Sequence, residues 1–543
     1  MRLPEVRYGS GRRKVTQLKF TGLDATTGGG EGSIRDMQNM TGDHYPVLAT
    51  RQKRVLLTKV EEPKALFAAG SGLCYIGDGG FYVDGDRKGD VSPEHEDAPR
   101  SMARLGNYLV LMPDKKYYDM TVEDQGILQD MESGWEGGSL AFQNGTIFDE
   151  AAKANTIYAA GVSWESYFRK GDAVTISGCT KHPENNKTII VREIDGAYLR
   201  FYENSFVLDG ADKTTNYTES GAGLKIWRSV PDLKYIFEHE NRLWGTDGET
   251  VFASKQGDIF NWNVFDGLGS DSWAWTPGSE GEFTGCCSYR GYPVFFKEDY
   301  IYKVYGSLPT NYEVLGSATM GLADGCHGSL AVAGETLFYL GRTGVTAYQG
   351  GIPQSIAQSF GTERFRSAVA GSDGIKYYVS MENEEGRWRL YVYDTRTGMW
   401  HIEDDTHAVG FARSEGVLYF LTDDGELLAT REVDANGYAV PEEDVNWAAE
   451  FGDIAEDEPN KKGVSKLQIR IELEAGAWAQ VYIQYDSSGM WQPVGKMLIG
   501  DGKRSIVLPV IPRRCDHYRV KLMGCGKCYI HSMAREYYVG SER

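Results

Sequence analysis

The chain contains 543 residues, 41% of them hydrophobic and 25% charged, which is a globular composition at a length that predicts two to four domains. It has no run of 18 apolar residues, no apolar centre near its start and eight cysteines, so we expect no membrane span, secretory signal or disulfide framework, and synthesis in a reducing cytoplasm. A formal charge of −20 argues against a protein that reads nucleic-acid sequence.

Residues 1–60 are a basic arm on an otherwise acidic chain. They hold 11 Lys and Arg against 5 Asp and Glu, a net charge of +6, which leaves −26 for the remainder. Because opposite charges attract, we expect the arm to dock onto an acidic surface, such as that of a neighbouring copy. A solvated, flexible tail is the alternative interpretation.

Residues 32–54 of this arm differ in pattern from the glycine-rich segments that follow. Ser33 and Asp36 match the start of a capped helix. Three apolar side chains would then share one face of two helical turns: Ile34, Met37 and Met40. The sequence therefore predicts a short helix, either clamped locally or docked on another subunit. A turn and a basic strand that closes the last repeat would follow it.

Residues 62–430 repeat one pattern, in which an apolar or aromatic strand, a Gly or Asp turn and a second strand follow one another. The clearest copies are 65–85, 101–120, 235–254, 285–306, 329–351, 368–394 and 408–430. Later copies recur about every 40–50 residues, the period of propeller blades. Small sheets cannot bury both faces alone, and packing them around an axis does so. We therefore predict an all-β fold with a six- or seven-bladed β-propeller at 61–134 and 229–440.

Residues 135–228 interrupt this period and are predicted to be an inserted domain. The second and third copies lie about 134 residues apart, and removing about 94 residues restores the spacing. Three strands are expected within the insert, at 170–179, 186–194 and 197–208. They indicate a small β-barrel or sandwich, with the aromatic stretch 164–168 as its plug.

Residues 441–543 are predicted to form a C-terminal β-sandwich. An acidic, polar connector at 445–463 leads into segments that alternate strongly between apolar and polar residues. These segments add up to about 80 residues of short strands, as expected for two packed sheets.

The C-terminal region also holds the best metal candidates. Five residue types that bind zinc fall within 17 residues: Cys515, His517, Cys525, Cys528 and His531. Four of them could hold zinc tetrahedrally. However, they include a single C-x-x-C, and buried thiols are common in alternating strands. We therefore predict no metal and no cofactor, and keep these five residues as zinc candidates.

Catalytic patterns are weak along the chain. The acidic stretches at 401–407 and 182–186 are predicted to be solvated turns between strands. The segment 253–262 faintly resembles the Asp box of sialidases, where its role would be to stabilise a turn. The sequence has no P-loop, dinucleotide fingerprint or serine nucleophile elbow, so we do not expect an enzyme.

Three stretches carry motifs that occur in a fixed order. Residues 20–54 contain an F-x-G-L-D opening, a D-x-x-N-M segment and a Y-P-x-L-x-x-R strand. The residues concerned are Phe20, Gly22, Leu23, Asp24, Asp36, Asn39, Met40, Tyr45, Pro46, Leu48 and Arg51. This stretch resembles the N-termini of tailed-bacteriophage β-propeller virion proteins of the tail nozzle, tail hub and DNA-stabilisation type. Residues 251–267 and 508–543 resemble a turn and the C-terminal sandwich of the same proteins.

This resemblance implies a structural protein of a tailed phage or prophage virion, made in the bacterial host cytoplasm. Several copies, six being usual in the family, would form a ring around the DNA exit channel and contact other tail or neck proteins. DNA would pass without sequence recognition. The insert is not universal in such proteins, so a receptor- or glycan-binding tail component that uses the insert is the alternative. A propeller glycoside hydrolase is a third interpretation.

Overall fold

The computed structural model describes residues 12–26, 32–70, 72–95, 98–121, 126–147, 150–202, 204–211, 213–433, 439–458 and 460–539. Parts of the predicted basic arm, residues 1–11 and 27–31, lie outside these ranges. The described residues contain no α-helix, only strands and six short 3-10 helices, at Pro93–His95, Trp164–Ser166, Pro183–Asn185, Pro309–Asn311, His327–Ser329 and Gln358–Phe360. In the same part of the chain, no helix has the length and apolar character needed to cross a bilayer.

The chain divides into two compact units. The first unit combines Met1–Asp78 with Gly325–Arg543, and the second is Gly79–Asp324. The strands of the first unit that precede the second are β1 (Arg12–Gln17), β2 (Ile34–Gln38), β3 (Met40–Thr41), β4 (Leu48–Thr50), β5 (Val55–Lys59), β6 (Ala65–Ala69) and β7 (Gly72–Gly77).

The helix predicted near residues 33–40 is wrong, because this stretch is strand β2. It pairs antiparallel with Asn446–Phe451, and the register shifts between Ile34 and Asp36. In a regular strand, side chains three residues apart point to opposite faces. The register shift places Ile34 and Met37 on the same face, and both are buried. A strand bulge therefore produced the spacing that we interpreted as one helical face.

The second unit begins with a hairpin and one four-stranded meander, β8 (Gly80–Val83), β9 (Asp86–Asp90), β10 (Ser101–Leu105), β11 (Tyr108–Met112), β12 (Lys116–Asp119) and β13 (Gln129–Asp130). The inserted strands follow as β14 (Ser133–Ile147), β15 (Glu150–Tyr158), β16 (Ala173–Ser177), β17 (Thr188–Ile190), β18 (Glu193–Asp195), β19 (Tyr198–Arg200) and β20 (Tyr217–Arg228). They form a single seven-stranded sheet in the order β17-β16-β20-β14-β15-β19-β18. Its buried side chains pack with Trp164 and Phe168 into one core.

Two further four-stranded meanders complete this unit. They are β21 (Tyr235–His239), β22 (Arg242–Thr246), β23 (Val251–Ala253) and β24 (Trp273–Trp275), then β25 (Gly285–Tyr289), β26 (Tyr292–Phe296), β27 (Tyr300–Tyr305) and β28 (Glu313–Ala318). The first strands of successive meanders contact one another, β10 against β21 and β21 against β25. This is how neighbouring propeller blades pack.

The first unit resumes with three more meanders. Their strands are β29 (Ala331–Ala333), β30 (Thr336–Gly341), β31 (Gly344–Tyr348), β32 (Gln354–Ser355), β33 (Phe365–Ser372), β34 (Lys376–Asn383), β35 (Trp388–Asp394), β36 (Met399–Ile402), β37 (Ala408–Ser414), β38 (Val417–Thr422), β39 (Glu426–Ala429) and β40 (Val440–Pro441). The last of these sheets has the order β37-β38-β39-β5-β40. Strand β5, from the start of the chain, thus completes a blade begun more than 300 residues later.

Two layers, one of six strands and one of five, close the first unit. Their remaining strands are β41 (Asn446–Phe451), β42 (Lys462–Leu473), β43 (Trp478–Tyr485), β44 (Gln492–Ile499), β45 (Gly502–Pro509), β46 (Tyr518–Cys525) and β47 (Cys528–Val539). One layer has the order β3-β4-β47-β42-β45, with β1 also on β47, and the other β2-β41-β46-β43-β44. Buried residues alternate with more accessible ones along β46, as in a sandwich.

The fold class predicted from the sequence is confirmed. The described chain is all-β, with propeller blades, an inserted β-domain and a C-terminal sandwich. The sandwich predicted at 441–543 also recruits β1 to β4 from the N-terminal arm.

Candidate functional site

The first candidate site is an ion-pair cluster, the N-terminal clasp, formed by Arg51, Arg54, Glu403, Asp404 and Glu442. Both arginines lie between β4 and β5, with 5% and 6% of their side chains exposed. Arg51 donates from Nη1 and Nη2 to the two carboxylate oxygens of Glu442, at 2.7 and 2.8 Å. This paired geometry is the strongest form of an arginine–carboxylate contact.

Arg54 holds the other side of the clasp. Its Nη1 donates to Asp404 Oδ2 at 2.7 Å and its Nη2 to Glu403 Oε2 at 2.6 Å. Burial opposes the charged form, but Asp404 and Glu403 outweigh it and raise the pKa of Arg54. For Asp404, burial raises the pKa, but Arg54 contributes most to a net lowering. Both groups are therefore ionised at neutral pH.

The clasp corrects our interpretation of residues 401–407 as a solvated turn. Asp405 is exposed, but Glu403 and Asp404 show only 12% and 18% of their side chains to solvent. Their partners come from the N-terminal arm, about 350 residues away, which a local pattern does not reveal.

A second pair of cations extends the clasp around Asp43. Lys376 Nζ lies 2.6 Å and Arg396 Nη2 3.1 Å from Asp43 Oδ1. Burial raises the pKa of Asp43, but Lys376 and further hydrogen bonds lower it more. The turn after β3 is thereby tied to β34 and to the loop before β36.

His401 lies buried under this turn. A Cβ placed on Gly42 would come within 2.8 Å of the His401 ring, so the histidine fills the space that a side chain at position 42 would need. Burial lowers the pKa of His401 to about 4, and the ring is therefore neutral at pH 7.

A cavity of about 290 Å³ lies beside the clasp, and its lining includes Asp43, Arg51, Lys376, Arg396 and Glu403. These groups already bond one another across the arm and the blades. Within its described lining there is no Ser, Cys or His side chain. The arrangement is suited to holding segments together, since its charged groups are used by one another.

The five zinc candidates are not brought together. Each finds a separate environment: Cys515 donates to the carbonyl of Lys462, Cys525 to that of Asp444, His517 contacts Ser487, His531 contacts Glu472, and Cys528 is buried. Burial also raises the pKa of Cys515 to about 11, which favours the thiol over the thiolate that zinc requires. Among the described residues no group of three or more His, Cys, Asp or Glu side chains is placed to hold a metal ion.

The second candidate site, the insert anchor, lies in the other unit and consists of Asp172, Arg228, Asn261 and Asp258. Arg228 Nη1 donates to Asp172 Oδ2 at 2.5 Å, and Asn261 Nδ2 donates to Asp172 Oδ1 at 3.0 Å. Asn261 Nδ2 also donates to Asp258 at 2.6 Å. Asp172, Arg228 and Asn261 are all buried, so the insert is fixed to its blade by polar contacts shielded from water.

Asn261 and Asp258 belong to the segment 253–262 that resembled an Asp box. Asp258 Oδ1 accepts the amide N–H of Phe260 at 2.8 Å, and Trp262 Nε1 donates to the carbonyl of Ile259 at 3.0 Å. The segment is a compact turn, as predicted. The sequence did not show that Asn261 in this turn is hydrogen-bonded to Asp172 and Ala173 of the insert.

Buried Arg242 organises the loop around this turn. Its guanidinium donates to the carbonyl oxygens of Ser254, Gly269 and Asp271 at 2.9, 2.6 and 2.5 Å. Burial lowers the pKa of Arg242. The guanidinium thus supplies hydrogen-bond donors to three backbone carbonyl groups of a loop that has no strand pairing to supply them.

No family model matches the sequence, and no curated protein matches it. Among solved structures, U3-55K is 10% identical and covers 70% of this chain and 98% of its own, with a TM-score of 0.32. BamB from Moraxella catarrhalis is 9% identical over 70% and 97%, with a TM-score of 0.33. AztD from Citrobacter koseri is 12% identical over 88% and 99%, with a TM-score of 0.27. At these scores the similarities do not bear on function.

Proposed function

We propose that this chain is a structural protein of a tailed-phage or prophage virion, a tail nozzle or hub component. The observation that carries the proposal is the course of residues 34–59. Strand β2 enters one sandwich layer, β3 and β4 enter the other, and β5 completes a blade. One short segment is thus hydrogen-bonded into three sheets of the first unit.

Such a segment suits a protein that must resist force. Separating the blade from the sandwich requires breaking β5 from β39 and the clasp together, since both lie on the same stretch of chain. When the β5–β39 hydrogen bonds and the ion pairs of the clasp share a load, they must break at the same time. This takes more force than breaking them one after another. This resistance to force suits a mechanical role. The motifs in residues 20–54 favour a protein of a phage virion.

In this role the acidic composition has a purpose. DNA carries dense negative charge, and a basic channel would hold it through counterion release. A net charge of −20 instead repels phosphates, so a ring of several copies around the exit channel would let DNA pass without adhesion. An assembled ring with a basic lumen would contradict this part of the proposal.

Immunogold electron microscopy of intact particles tests the proposal. Antibodies against this chain should label the end of the tail, and antibodies against a major capsid protein serve as the positional control. Labelling at the neck would move the proposed position from the tail end to the neck and would still support a structural virion protein. Particles that carry no label, while the chain is present in the same lysate, would overturn the proposal.

A receptor- or glycan-binding role for the insert is a second candidate. Three aromatic side chains of the insert are exposed, Tyr198 at 38%, Tyr202 at 54% and Trp227 at 41%, and aromatic faces commonly stack on sugars. The insert anchor would hold such a surface rigidly. Binding of the whole chain to a glycan array, lost in Tyr202→Ala and kept in Tyr45→Ala, would favour this candidate.

A further inference from the structure

The C-terminal sandwich exposes an unusual concentration of apolar side chains. Of the twenty large apolar residues exposed in the described chain, five fall between residues 490 and 511. They are Met490 (63% exposed), Met497 (51%), Ile499 (61%), Val507 (52%) and Ile511 (90%). Single exposed apolar residues need no explanation, whereas a group along one segment indicates an interaction surface.

These residues lie on and next to the two strands that end the sandwich layers. Strand β44 is the last strand of one layer and β45 the last strand of the other. The two strands adjoin, since a Cβ on Gly495 would lie 2.7 Å from Leu508 Cδ2. Each therefore presents backbone N–H and C=O groups that a further peptide chain could pair with.

The same segment is basic. Residues 490–514, named the flank, contain five Lys and Arg and one Asp, a net charge of +4, against −20 for the chain and therefore −24 for the rest. Within the part of the chain that the structure describes, Lys496, Lys503 and Arg514 form no salt bridge. The flank thus offers cations, apolar side chains and strand edges together.

We propose that the flank docks onto an acidic face of a second copy of this chain. This rests on the proposed function in that a virion component is present in many copies. Two flanks would repel each other, so the contact joins the flank of one copy to a different surface of the other. Nucleic acid would match the cations but cannot pair with strand edges or cover Met497, Ile499 and Val507.

Sedimentation of the full-length chain over a range of concentrations tests this contact. The wild type should associate beyond the 60.4 kDa monomer, and raising the salt concentration should weaken association. Ile499→Lys and Lys503→Glu should each weaken it at least tenfold, as loss of about 1.4 kcal/mol does. Ile352→Lys, at a site 85% exposed and outside the flank, is the matched control and should associate as the wild type does.

Two results would overturn the proposal. One is a wild-type chain that stays monomeric at high concentration and low salt. The other is equal weakening by Ile352→Lys and Ile499→Lys, since that would reflect general surface charge. Duplex DNA or anionic vesicles bound through Lys503, with no self-association, would assign the flank to a different partner and reject ours. Thermal unfolding shows whether each variant folds. Particle labelling is independent of all these outcomes, so failure of the flank and failure of the virion role are distinguishable.

Discussion

The guanidinium of Arg51 and the carboxylate of Glu442 form a two-point contact although 391 residues separate them. The backbone N–H of Arg54 donates to the same carboxylate at 3.1 Å. The last part of the arm is therefore held by the segment that leads into the C-terminal sandwich. Removal of Glu442 takes the closest carboxylate from the guanidinium of Arg51, whose side chain is only 5% exposed.

Arg54→Met should destabilise the first unit by about 3 kcal/mol, because Glu403 and Asp404 lose their hydrogen-bonded cation in a mostly buried site. The contacts that remain to them are the longer ones to Arg51, at 3.8 and 3.6 Å. The measurement is urea unfolding followed by tryptophan fluorescence. Lys53→Met is the matched control. Its partner Asp444 and Lys53 itself are about half exposed, so we expect a loss below about 1 kcal/mol. Equal effects of the two variants would show that the clasp contributes no more than a surface pair.

The sequence predicted the blades because each one is local. A hairpin carries its own alternation and its own turn, so the segments around Trp244 and Tyr339 could be recognised without knowing their neighbours. A strand after the turn of the arm was expected to close the last repeat, and β5 does so against β39. The pair formed by Arg51 and Glu442 could not be predicted in this way, because 391 residues separate the two partners. The helix predicted from Ile34 and Met37 failed for the same reason, since a bulge against a distant strand set their spacing.

Within the insert, three of the seven strands were predicted and the longest were missed. Strands β14 and β20 contain glycines inside their runs, with a register shift between Gly137 and Ser139, and this interrupts the alternation that marks a strand. The stretch at 182–186 was taken for a solvated turn, yet Asn185 is fully buried and donates to Tyr217 Oη at 2.7 Å. Pairing across the insert buries this polar residue, and the local composition gave no sign of it.

Asp172→Ala should loosen the insert from its blade. The carboxylate of Asp172 holds buried Arg228 and Asn261, so its removal leaves a buried guanidinium unpaired, at a cost of about 3 kcal/mol. Hydrogen exchange should increase at residues 169–174 and 258–262. Glu136→Ala removes an exposed pair with Lys225 in the same sheet and should leave exchange there unchanged. Unaltered exchange in Asp172→Ala would mean that apolar packing alone holds the insert.

Arg242→Met should release the loop of residues 254–271. Three backbone carbonyls would lose their donor, and buried carbonyl groups without partners cost about 1–3 kcal/mol each. We expect faster hydrogen exchange in this loop and a lower unfolding temperature. Lys234→Met, at an exposed pair with Glu282 in the same unit, is the control. A loop that stays protected in Arg242→Met would show that Asp258 and Trp262 organise it without the arginine.

The stability of the first unit should fall as the pH drops below neutrality, partly because of His401. The pKa of His401 is about 4 in the folded chain and near 6.5 in an unfolded one. Above pH 6.5 the ring is neutral in both states and its contribution is complete. Between pH 6.5 and 4 the unfolded chain binds a proton at this histidine and the folded chain does not. The free energy of unfolding therefore falls by about 3 kcal/mol by pH 4.

Urea unfolding between pH 7 and pH 4 measures this loss, and His401→Gln isolates it. The glutamine does not titrate. Between pH 7 and pH 4 the free energy of unfolding of the variant should therefore fall by about 3 kcal/mol less than that of the wild type, whatever its stability at pH 7. His44→Gln makes the same substitution at an exposed histidine on the turn that covers His401 and is the matched control. The carboxylates of Asp43 and Asp394 have lowered pKa values and lose their contribution only at lower pH. Parallel curves for the wild type and His401→Gln would therefore show that the buried ring takes up its proton without opening the fold.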